Sequence, residues 1–109
     1  MSAVQWKLYR YVDENGTEPF SVWLNKCDRQ LQRRVRVALA RIEIGNVSSI
    51  KWFGGNLGEF RLDFGAGYRI YLARYGKDGI VLLAGGDKSS QTRDISRARD
   101  FVASLKAKG

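Results

Sequence analysis

Residues 59–75, EFRLDFGAGYRIYLARY, alternate apolar and polar side chains in two runs separated by Gly65-Ala66-Gly67. A period of two on both sides of a glycine-containing turn predicts an antiparallel β-hairpin. Pairing Phe64 with Tyr68 leaves a three-residue turn, a length that favours glycine at positive φ. That register sets Leu62 opposite Ile70 and Phe60 opposite Leu72, so the apolar residues share one face. A slip of one residue would mix the faces. On the other face Asp63 then meets Arg69 and Arg61 meets Tyr71, and Arg61, Arg69, Tyr71 and Tyr75 are expected to be exposed together. Two readings of that face stand. Asp63 and Glu59 pair with the arginines in cross-strand ion pairs worth about 0.2–1 kcal/mol each. Alternatively the face binds RNA, its guanidiniums matching phosphates and its rings stacking on unpaired bases.

The rest of the chain supplies elements to pack on this hairpin. Residues 4–12 alternate as a strand, with Val4, Trp6 and Leu8 on one side, and Asp13–Gly16 turn the chain. Thr17 is expected to cap a helix opening at Glu18-Pro19, whose stripe is Phe20, Trp23, Leu24 and Cys27. Asp28 is expected to cap a second helix with Leu31, Val35, Ala38, Leu39 and Ile42 inward, stopped by Gly45-Asn46. Residues 46–58 read as a glycine-rich loop. The run 80–86, IVLLAGG, is apolar on both sides, as a strand covered on both faces would be. From Thr92 a last helix turns Ile95, Ala98, Phe101, Val102 and Leu105 inward, with Asp94 in its first turn. The expected order is β-α-α-β-β-β-α. This is one α+β domain over 1–109, a small, mainly antiparallel sheet packed by a helical hairpin and a C-terminal helix.

Charge and composition exclude several classes. No apolar run reaches the roughly 20 residues that cross a bilayer, and the N-terminus has no basic region followed by an apolar core. With a single cysteine, Cys27, and no histidine, neither an internal disulfide nor a transition-metal site is expected. A cytoplasmic location is expected. The net charge is +8. Between Arg29 and Arg74 lie nine basic residues and three acids, a concentration that favours polyanionic partners.

A second candidate is LAGGDKSSQTRDI, residues 83–95. Lys88 follows two glycines at a strand end and precedes a helix. This is either a setting in which backbone N–H groups and a lysine receive an anion, or a plain connection. The GAGYR run is a turn rather than a dinucleotide fingerprint, since no helix follows it. Trp6, Phe20 and Trp23 read as core. Lys51 and Trp52 either flank a substrate or close the sheet edge.

Together the element order, the hairpin GEFRLDFGAGYRIYLARY and the segment IVLLAGGDKSSQTRDISRA resemble the RelE/ParE superfamily of bacterial toxins, and within it the HigB-like, phage-related addiction module killer proteins. The resemblance runs from about Val4 to Leu105. It implies the toxin of a type II toxin–antitoxin system, an endoribonuclease that cuts mRNA on the ribosome. No metal or cofactor is implied. The ribose 2′-OH attacks the neighbouring phosphate, leaving a 2′,3′-cyclic phosphate and a 5′-OH. The resemblance assigns Arg69 and Lys88 to the phosphate and Arg61 to the phosphate or leaving group. Lys51, Tyr71, Arg74 and Tyr75 are implied RNA contacts. Some members carry a tyrosine or histidine near the C-terminus for proton transfer; here Asp87 or Asp94 would take that place. The implied partners are the ribosome with its mRNA and a helix-turn-helix antitoxin from an adjacent gene, with operator DNA bound only through the pair. ParE-like relatives instead bind and poison DNA gyrase without cutting nucleic acid. A decayed toxin that keeps only antitoxin binding is a third alternative.

Overall fold

The computed structural model describes residues 5–108. Its elements are β1 (Lys7–Arg10), α1 (Pro19–Lys26), α2 (Arg29–Glu43), β2 (Ile50–Gly54), β3 (Leu57–Arg61), β4 (Arg69–Tyr75), β5 (Gly79–Gly86), a single 3-10 turn (Lys88–Ser90) and α3 (Gln91–Lys108). The strands form one sheet in the order β1-β5-β4-β3-β2. All neighbours are antiparallel except β1 and β5, which run parallel. The α+β class and the helix positions match expectation. Val4, assigned above to the first strand, lies outside the described residues.

Both faces of the sheet are covered, because both have aliphatic side chains to bury. On one side Phe20, Leu24, Leu31, Val35 and Ile42 of α1 and α2 meet Ile70, Leu72, Ile80 and Leu82. On the other, Ala98 and Val102 of α3 meet Tyr71, Ala73, Val81 and Leu83. Full burial of each large aliphatic side chain contributes about 1.5–3 kcal/mol relative to exposure. The apolar run of β5 is thus explained by a helix on either side of it.

The helix ends follow local chemistry. Asp28 caps α2, its Oδ1 accepting from the Leu31 N–H at 2.8 Å. Beyond the other end Gly45 takes φ +99°, a left-handed conformation suited to glycine. The expected Thr17 cap is replaced. Glu18 is the N-cap of α1 and makes no side-chain cap bond. The Thr17 N–H instead donates to Asp13 Oδ1 at 2.9 Å, closing the preceding turn.

Two expectations for the hairpin change. Residues 46–58 are not all loop. Ile50–Gly54 form an edge strand paired with β3, and Gly54, Gly55 and Asn56, all at positive φ, are the turn between them. The hairpin register is also shifted by two residues. Arg61 faces Arg69, Phe60 faces Ile70 and Glu59 faces Tyr71. The Leu62 N–H donates to the Tyr68 carbonyl at 2.9 Å, so the loop spans Asp63–Gly67 rather than three residues. A shift of two keeps every side chain on its predicted face, which is why the alternation does not resolve it.

Candidate functional site

The face expected to be open is largely roofed by α3. The reason is the apolar stripe of that helix, which has Tyr71, Ala73, Val81 and Leu83 beneath it. Tyr71 is fully buried and Arg69 only 6% exposed, whereas Arg61 and Tyr75 are exposed. The four residues therefore do not form one exposed surface.

Arg69, the first residue of β4, lies between Arg61 on β3 and Gly86 on β5. Its guanidinium turns inward. Nη1 donates to the Gly67 carbonyl at 2.6 Å. Nε stands 3.2 Å from Glu59 Oε1, but its N–H is not directed into a hydrogen bond, so the contact is coulombic. The partner expected from the alternation, Asp63, is replaced by Glu59 because of the two-residue register shift.

Glu59 is itself buried, and its Oε1 accepts from Gln91 Nε2 at 3.2 Å, which links the strand pair to the first turn of α3. Tyr71, across the ladder from Glu59, has a buried hydroxyl without a hydrogen-bond partner. Burial pushes the Tyr71 pKa up to about 12, and the carboxylates of Glu59 and Asp94 add to the rise while Arg69 opposes it. Asp94 is buried as well, and its Oδ2 accepts from Ser90 Oγ at 2.5 Å.

Lys88 is exposed and opens the 3-10 turn. Its N–H donates to the Ala66 carbonyl at 3.2 Å, fastening the β3–β4 loop to the β5–α3 connection. Gly67, at φ +73°, makes that approach feasible. A Cβ there would stand 3.3 Å from Arg69 Nη1 and 3.4 Å from Lys88 Cβ. Lys51, on β2 directly across from Glu59, is exposed with its Nζ 5.6 Å from the Phe53 ring centre. Thus Arg61, Arg69 and Lys88, with Lys51, converge on one end of the sheet. Three exposed cations there flank a buried Arg–Glu pair.

Arg74 and Tyr75 do not join them. They sit five and six residues further along β4, about 17–20 Å away at roughly 3.3 Å per residue. Arg74 stacks on Trp6 at 4.7 Å and donates to the Lys77 carbonyl. Tyr75 packs edge-to-face on Tyr9, with centroids 5.5 Å apart.

Of the two readings of the Lys88 segment, the plain connection fits the structure better. Gly85 and Gly86 are the last residues of β5. They are glycines because each face of β5 is occupied there: a Cβ on Gly85 would collide with the Trp23 indole, and one on Gly86 with the Asp94 carboxylate. The amides of Ser89 and Ser90 are already taken by Asp87 Oδ1. The Ser89 hydroxyl is the main reason the Asp87 carboxyl is held below its usual value, with those amides and Arg93 contributing. Asp87 and Asp94 are therefore both engaged, the first as a cap and the second under Ser90.

Sequence reasoning treated Glu59 only as a surface ion-pair partner and gave Gln91 no role. Their signal was present in the parity that puts Glu59 on the same face as Arg61 and Tyr71. Among the described residues, no three His, Cys, Asp or Glu side chains cluster as metal ligands. No helix among them is long and apolar enough to cross a membrane.

No family model matches the chain. An uncharacterized protein of Haemophilus influenzae is 36% identical over 90 residues, which cover 82% of this chain and 91% of that protein. At that identity over most of both sequences, the chain belongs to the same family as the Haemophilus influenzae protein.

Proposed function

We propose that the protein is the toxin of a RelE/ParE-type toxin–antitoxin pair, a cytoplasmic endoribonuclease that cuts mRNA on the ribosome. The observation that carries this reading is the convergence of Arg61 and Arg69 of the hairpin with Lys88, from the connection after β5, at one end of the sheet. In the reaction the 2′-oxygen bonds to the adjacent phosphorus and loses its proton. The P–O5′ bond breaks, and the 5′-oxygen gains a proton. Arg61 and Lys88, which reach solvent, stabilise the charge of the pentavalent phosphorane. Arg69 acts from behind, its charge shared with Glu59. Lys51 holds the neighbouring backbone phosphate. With Asp87, Asp94 and Glu59 all engaged, proton transfer depends on positioning within the ribosomal complex. The partner is an acidic antitoxin that neutralises the basic surface.

The buried Arg69–Glu59 pair favours a second reading, because a guanidinium held by a carboxylate is not presented to a phosphate. In that reading the protein binds and poisons DNA gyrase without cutting nucleic acid.

Primer extension on a defined mRNA after brief induction tests the choice. Cuts within translated codons, absent without ribosomes and lost in Arg61→Ala and Lys88→Ala, support the nuclease. Intact mRNA with growth arrest and a DNA-damage response would select gyrase instead.

A further inference from the structure

Helix α2 carries five arginines, at 29, 33, 34, 36 and 41, against one acid, Glu43. Among the described residues the ion pairs are Lys7–Asp78 and Arg69–Glu59, so these arginines have no carboxylate partner there. Unpaired cations in this density repel one another and leave favourable charge interactions unmade.

Beside them, between α2 and β3, runs an open groove of about 460 Å³. Arg33, Arg34, Val37 and Arg41 of α2 line one side, and Phe60, Leu62 and Phe64 of the hairpin line the other. Val37 is half exposed, unlike the buried Val35 and Ala38 beside it. Arg33, Val37 and Arg41 are spaced i, i+4, i+8, so they form a single stripe along α2: cation, aliphatic, cation, over about 12 Å.

We infer that this groove docks a helical segment of a partner protein that carries an aliphatic residue flanked one turn on either side by Glu or Asp. The aliphatic residue covers Val37 and the apolar side chains of the groove, and the two carboxylates meet Arg33 and Arg41 in hydrogen-bonded pairs. Single-stranded RNA fits less well. The centre of the stripe is aliphatic, the Phe64 ring is already covered by the Arg34 guanidinium at 4.3 Å, and Asp63 at the rim repels phosphate. The groove lies on the helical-hairpin side of the sheet, and its occupancy does not depend on whether the chain cuts RNA.

The probe is a fluorescein-labelled, helix-stabilised 16-residue peptide built on the repeat Glu-x-x-x-Leu-x-x-x-Glu. A scrambled peptide of the same composition and a 12-nucleotide oligouridine serve as comparators. Anisotropy titration of the full chain is expected to show the patterned peptide binding at least tenfold tighter than the scrambled one. Val37→Asp and Arg33→Glu should each weaken it at least tenfold with the unfolding midpoint unchanged. Amide resonance shifts should centre on α2 and β3. Equal binding of the two peptides would overturn the proposal, as would tighter binding of oligouridine that is insensitive to Val37→Asp. The latter result would make the groove a polyanion surface.

Discussion

Arg69 Nε and Glu59 Oε1 lie 3.2 Å apart, and the two side chains keep only 7% and 8% of their surface in water. A pair this deeply desolvated behaves differently from the exposed ion pairs first expected of the hairpin. Removing one partner strands the other charge in a low-dielectric site, which costs about 3–5 kcal/mol. Glu59→Gln is therefore expected to lower stability by about 3 kcal/mol in urea unfolding, and Arg69→Met by a similar amount. The double variant Glu59→Gln/Arg69→Met should recover most of the loss. Additive losses in the double variant would show that the two charges are not coupled.

The same pairing decides which variants report on function. Arg61 and Lys88 are exposed, so alanine at either position should leave the unfolding midpoint near wild type. Ribosome-dependent cutting should fall about 10²-fold or more, the usual cost of losing one stabiliser of transition-state charge. Arg74→Ala and Tyr75→Ala, at the far end of β4, should leave cutting within about twofold of wild type. A large loss in either of those two would move the RNA path away from the Arg61 end.

Tyr71 predicts an alkaline signature. Its pKa is about 12 in the fold against 10.0 ordinarily. Between those values the unfolded chain has released the proton and the folded chain has kept it, so stability falls as pH rises from about 10 to about 12. In Tyr71→Phe that part of the fall should vanish. At neutral pH the variant should be as stable as wild type or slightly more so, because the hydroxyl it removes has no partner. Urea titrations at pH 7, 10 and 11.5 measure both effects.

Gly85 and Gly86 should tolerate no side chain. Gly85→Ala drives a methyl into the Trp23 indole and Gly86→Ala drives one into the Asp94 carboxylate. Overpacking of this kind costs about 1–3 kcal/mol. Trp23→Ala should cost less in the Gly85→Ala background than alone, whereas in the Gly86→Ala background it should cost its full amount. Thermal unfolding of these variants distinguishes the two faces.

The sequence made the faces of the hairpin legible and left its register undetermined. Phe60, Leu62, Ile70 and Leu72 share the face that alternation assigns them, because their parity survives the two-residue shift. What alternation does not contain is the loop length, set instead by backbone bonds such as Leu62 to Tyr68 and Lys88 to Ala66. Strand β2 was hidden for a related reason. Gly54, Gly55 and Asn56 read as loop composition, when they are the turn between two paired strands. In the candidate site, Arg61, Arg69 and Lys88 were grouped by the family resemblance, and no local pattern joins Lys88 to the hairpin. The burial of Arg69 was not legible either, because it follows from α3 lying across the sheet, a tertiary fact that no local pattern encodes.

The parallel pairing of β1 with β5 has a consequence for how the chain is made. Lys7 finds its neighbour in Gly79, and α1 rests its Trp23 on Gly85 of the same strand. A nascent chain that has emerged only as far as β4 therefore holds an unpaired first strand and a first helix with no surface to lie on. Folding waits for β5. Because such distant segments must meet before the core closes, the ordering of β1 and α1 is a late event, coupled to the arrival of a strand about 70 residues further along.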